Sequence, residues 1–77
     1  MAKRRVKFTF PPHLITEPVI YNLGKQFGVV TNIFGAKVTK EFGWVVLELE
    51  GTEADIQRGI DWAIAQGVQV EPVESQV

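Results

Sequence analysis

Seventy-seven residues, with eight Lys or Arg against nine Asp or Glu and no cysteine, describe one small domain of net charge −1 that has no disulfide or thiolate staple. A single histidine makes a structural zinc site implausible, and no apolar run approaches the roughly 18 residues of a membrane span. Lys3, Arg4, Arg5 and Lys7 hold four of the eight basic groups, so residues 8–77 carry four basic against nine acidic ones, which argues against a broad nucleic-acid face.

The basic start, Met1 to Arg5, is followed by no continuous apolar stretch of the kind a secretory signal needs, and the chain reads as cytoplasmic. The same basic arm has the chemistry to touch phosphates or an anionic lipid surface, although such arms are commonly solvated ends. A domain this small, lacking staples, commonly gains stability by oligomerising, so a partner chain is expected.

Residues Arg5 to Phe10 alternate, with Val6, Phe8 and Phe10 on one side and Arg5, Lys7 and Thr9 on the other, which predicts a half-buried strand. Pro11-Pro12 ends it, because proline gives no amide to a ladder. Thr16 is placed as an N-cap with Glu17 and Pro18 in the first turn of a helix. Val19, Ile20, Leu23 and Phe27 form its apolar stripe, and Gly28 supplies a left-handed stop.

Val29 to Lys40 reads as a second strand interrupted at Gly35. A bulge there would bring Ile33, Ala36 and Val38 to the core side and leave Asn32, Phe34, Lys37 and Thr39 on the other face. Asn32 stands out in this run, since a buried amide needs hydrogen-bond partners and Asn is disfavoured in strands. Its partner is either neighbouring backbone or a bound polar ligand.

Glu41-Phe42-Gly43 predicts a tight turn into a third strand, Trp44 to Glu50. Val45, Leu47 and Leu49 then face one way, and Trp44, Val46, Glu48 and Glu50 the other. Thr52 and Asp55 resemble a capping box opening a second helix, with Ile56, Ile60, Ala63 and Ile64 as its apolar positions and Gly67 as its end. Val68 to Val73 is a short last strand whose Pro72 assigns it to a sheet edge, and residues 74–77 are expected to fray.

The order β-α-β-β-α-β is the split βαβ pattern of an α+β, ferredoxin-like fold. Right-handed crossovers give a four-stranded antiparallel sheet of order 4-1-3-2 with two helices on one face. The other face is left open, carrying Trp44, Val46 and Phe34, and such a patch suits an interaction.

With these segments placed, the chain resembles the NIL domain family, called after an Asn-Ile-Leu signature that stands here as Asn32-Ile33-Phe34. Phe27-Gly28-Val29, Ala36, the Leu47 to Gly51 strand exit, Gly51-Thr52 and Val68 to Glu71 also follow the family pattern, and Phe34 departs from the signature leucine. The resemblance implies a single domain over residues 4–73, with residues 1–3 and 74–77 as flexible ends. It further implies an ACT-like regulatory domain, familiar at the C-terminus of methionine-importer ATP-binding subunits. There it pairs with its twin and binds methionine, and the signature asparagine is tied to that recognition. The family also occurs fused to iron–sulfur ferredoxin modules. This chain has neither a Gly-x-x-x-x-Gly-Lys-Ser/Thr loop nor cysteines for a cluster, so it reads as a stand-alone version or an excised piece, and Met1 favours the former.

Catalysis is not expected. The only serine, Ser75, lies in the tail, and His13 has no orienting carboxylate near it in sequence. Glu48 and Glu50 read as a solvated face. Recognition of methionine fits better, because an amide both donates to a carboxylate and accepts from an ammonium, and aromatic rings suit a thioether. Asn32 is the expected polar contact, Phe34 and Trp44 the expected wall, and Ile33 packs behind. The expectation is thus a non-enzymatic homodimer that binds an amino acid, methionine first, with no cofactor, no nucleic acid, no membrane insertion and an unidentified effector protein. The alternative is a protein-interaction or dimerisation module with no metabolite ligand.

Overall fold

Alternating side chains and two glycine stops set the elements seen in the computed structural model, which describes residues 1–73. Strand β1 covers Ala2–Phe10, β2 Val30–Val38, β3 Gly43–Gly51 and β4 Gln69–Pro72, while helix α1 covers Val19–Phe27 and α2 Glu53–Gln66. The strands pair antiparallel in the order β2-β3-β1-β4, the 4-1-3-2 arrangement of the ferredoxin-like fold.

The core is one layer between the sheet and the helices. Val6, Phe8 and Phe10 of β1 and Val45, Leu47 and Leu49 of β3 are buried against Val19 and Leu23 of α1 and Ile56, Ile60 and Ala63 of α2. Phe8 and Phe10 meet edge to face with ring centroids 6.0 Å apart. Both helices stop at a glycine in the left-handed region, Gly28 at φ 67° and Gly67 at φ 113°, where a side chain would be strained.

Several details differ from expectation. Strand β1 starts at Ala2, and Ala2 and Lys3, expected within a flexible end, pair with Gly51 and Glu50 because β3 is long enough to hold them. Thr16 is not the N-cap of α1. A short 3-10 turn at Pro12–Leu14 buries Leu14 and carries the chain past Thr16 and Glu17, so the helix opens at Val19. Pro18 sits before it with ψ 62° and no capping hydrogen bond. The second helix does have the expected cap, with Thr52 Oγ1 accepting from the Asp55 amide at 3.0 Å, but the Asp55 carboxylate pairs with Arg58 instead of completing a box.

Ile64, assigned to the apolar stripe of α2, is 52% exposed, and Gly59 takes a buried position. A methyl at Gly59 would lie 3.2 Å from two Leu23 carbons, so this glycine lets α1 and α2 approach closely. The β2–β3 turn is tied by Thr39, whose Oγ1 accepts from the Glu41 and Phe42 amides at 3.2 and 3.1 Å. Thr39 therefore belongs to the turn and not to the open face. The tail 74–77, expected to fray, lies outside the described residues.

The bulge at Gly35 is present. Ile33 pairs with Leu47, Gly35 with Val46 and Ala36 with Val45, so Ile33, Ala36 and Val38 do turn toward the helix side. They are not core residues, however. Ile33 is 59% and Val38 61% exposed, because β2 is the outer strand and lies beyond the helices' cover.

Candidate functional site

Strand pairing decides which side chains meet on the helix-free face. From β2 come Val30, Asn32, Phe34 and Lys37, and from β3 Glu50, Glu48, Val46 and Trp44. Strand β1 adds Lys3, Arg5, Lys7 and Thr9, and β4 adds Glu71 and Gln69. This face is laced with charge and is not a bare apolar patch.

Asn32 is exposed and makes no side-chain hydrogen bond to any described residue. The burial inferred from its apolar neighbours is absent because an outer strand wets both of its faces. The cost of an unpartnered buried amide therefore does not apply, and the amide is free to bind something else. Directly across on β3 is Glu48.

Phe34, 56% exposed at the bulge, carries the Arg5 guanidinium 4.1 Å from its ring centre. Trp44 is half-buried beneath Lys7, whose Nζ is 5.3 Å from the ring centre. Trp44 stands four residues along β3 from Glu48, about 13 Å of strand. Its indole leans back over the bulge, where a methyl at Gly35 would lie 3.9 Å from Cζ3. Asn32, Phe34 and Trp44 thus share one face, while Ile33 points to the other. Sequence reasoning treated Arg5 and Glu48 as ordinary outward residues. Their outward positions on the two central strands were legible, but their neighbourhood follows only from the register.

Elsewhere, a cavity of about 220 Å³ opens between the start of α1 and the end of the β2–β3 hairpin. Phe10, Leu14, Val19, Val38 and Val45 make its walls, with Glu17 its one carboxylate, and none of Asn32, Ile33, Phe34 or Trp44 reaches it. Such a lining offers no cation for a carboxylate. Among the described residues no three His, Asp or Glu side chains converge as a metal site would require, and no helix is long and apolar enough to cross a membrane.

Fold and face together define a ferredoxin-like domain whose outer strand presents an amide and an aromatic ring beside a charged row. The NIL domain family model matches residues 4–72, and the chain belongs to that family. It is 33% identical over 64 residues to the methionine import ATP-binding protein MetN of Helicobacter pylori strain J99, covering 78% of this chain and 20% of that protein. The MetN protein of Helicobacter acinonychis is 31% identical over the same length. The chain thus spans about a fifth of the curated relatives it matches. In structure it is similar to the C-terminal domain of an ABC transporter ATP-binding protein from Enterococcus faecalis. The TM-score is 0.80 at 18% identity, over 95% of this chain and 86% of that one, so the fold is shared.

Proposed function

We propose that this chain is a non-catalytic regulatory domain that binds an amino acid, methionine first, as a homodimer. The observation that carries the reading is Asn32, an exposed amide at the signature position with no side-chain hydrogen bond among the described residues, set beside an exposed Phe34 on the outer strand of a NIL domain. The relatives' names supply the ligand class and the setting, the ATP-binding subunit of a methionine importer.

The site lies on an open face, whereas small ligands are held where most of their surface is enclosed. A second copy laid against β2 supplies the missing wall. Strand β2 suits this role: it is nine residues long, has one edge that no described strand pairs with, and exposes Val30, Ile33, Phe34 and Val38. Binding and pairing are then coupled, because a ligand that contacts both copies favours the paired arrangement.

Calorimetric titration of methionine, with norleucine and Asn32→Ala as controls, tests the reading. Saturable heat that Asn32→Ala removes without loss of fold is the expected result. Methionine should also tighten dimerisation in sedimentation equilibrium. Absence of heat at millimolar methionine together with tight self-association would favour a pure dimerisation module, for which the exposed apolar groups of β2 are sufficient.

A further inference from the structure

A single row crosses the open face. Asn32 on β2 stands opposite Glu48 on β3, and Glu48 stands opposite Arg5 on β1. Arg5 reaches over β3: its Nη2 is 3.6 Å from Glu48 Oε2, and its Cζ sits 4.1 Å from the centre of the Phe34 ring on β2. Four side chains from three strands therefore form one patch.

Two features separate this from an ordinary cross-strand ion pair. A charge-assisted hydrogen bond closes to roughly 2.7–2.9 Å. At 3.6 Å the Arg5–Glu48 pair is held by attraction with no hydrogen bond formed, although both side chains are largely withdrawn from water, at 23% and 18% exposure. Moreover, Arg5 Nε is buried without a partner, the one side-chain nitrogen or oxygen so placed among the described residues. A buried N–H of this kind calls for an acceptor. The Phe34 ring beneath the guanidinium restrains its position, so less conformational freedom is lost when a ligand arrives.

The geometry points to Arg5 and Glu48 as the residues that recognise the two charges of an α-amino acid zwitterion. The ligand carboxylate accepts from the Arg5 guanidinium, and its ammonium donates to the Glu48 carboxylate. Asn32, next to Glu48, has an amide that serves either end. One loose ion pair is replaced by two closer ones, and no charge is left uncompensated, which is the condition under which buried charges are tolerated. A ligand carrying only one of the two charges leaves either Arg5 or Glu48 without its new partner. The site accordingly selects zwitterions over amines and over simple carboxylic acids. This rests on the amino-acid-binding reading above and assigns its specificity.

The test is calorimetry on the wild-type chain, Arg5→Gln and Glu48→Gln, with three ligands: methionine, methioninamide, which lacks the carboxylate, and the α-hydroxy analogue, which lacks the ammonium. Circular dichroism confirms the fold of each variant. Arg5→Gln is expected to weaken methionine about tenfold or more and to leave methioninamide, already weak, unchanged. Glu48→Gln is expected to weaken methionine similarly and to leave the hydroxy acid unchanged. If both variants bind methionine within about a factor of two of wild type while Asn32→Ala abolishes binding, the inference is overturned and the amino-acid reading stands. If wild type binds no methionine, both fall. Should a variant not fold, the wild-type ligand series decides: equal affinity for methionine and its two analogues refutes the assignment.

Discussion

At the scale of single residues, the same side chain type carries different weight depending on what covers it. Leu23 and Leu47 are fully buried, while Ile33 and Ile64, as apolar, are more than half exposed. Gly59 is the most sensitive of the small residues. Alanine there gains up to about 1 kcal/mol of helix propensity, but overpacking against Leu23 costs about 1–3 kcal/mol. Gly59→Ala is therefore expected to lower stability by about 1 kcal/mol in urea unfolding. Combined with Leu23→Ala, the two losses should sum to less than their separate values, since the shortened side chain removes the clash. Additive losses would show that the 3.2 Å approach is not the cause. Thr52→Ala removes the cap on the Asp55 amide and should cost about 1 kcal/mol, whereas Thr52→Ser keeps the oxygen and should be nearly neutral.

Among the elements, β2 differs most from its reading in the chain. Its bulge and facing were legible, because Gly35 interrupts the alternation and Lys37 must turn outward. Its exposure was not legible, because the strand order puts β2 at an edge without saying how far the helices reach over it. The consequence is testable. Ile33→Lys adds charge to an exposed position and should change the monomer's stability by no more than about 0.5 kcal/mol. In sedimentation equilibrium it should weaken self-association severalfold, because charge on a free edge opposes strand pairing. Unaltered association would move the dimer contact away from β2. The helix α1 gives a complementary lesson. Thr16, Glu17 and Pro18 offer a capping hydroxyl, a first-turn acid and a proline, yet the preceding 3-10 turn buries Leu14 and the helix opens only at Val19.

For the whole molecule, the principal extents of 35 × 30 × 15 Å describe a slab with one core layer and one uncovered sheet face. A core so thin leaves little reserve, and the proposed pairing with a second copy would add stability by mass action. If unfolding is coupled to dissociation, a hundredfold rise in protein concentration should raise Tm by about 5 °C or more. Methionine at saturation should raise it further. A Tm that ignores concentration would show that each copy folds and holds together alone.

The chain by itself determined the α+β class, the strand order 4-1-3-2, the two glycine-terminated helices and the bulge. Each of these depends on local periodicity, turn chemistry and the handedness of crossovers, which act between neighbours in sequence. Tertiary structure alone decided that Asn32 is exposed, that Ile33 and Val38 lie outside the core, and that Arg5 reaches across β3 to Phe34 beside Glu48. Those facts depend on how far the two helices reach over an outer strand and on residue-by-residue register between distant segments. Arg5, Asn32 and Glu48 meet only because three strands align, and the pattern within any one strand carries no record of that alignment.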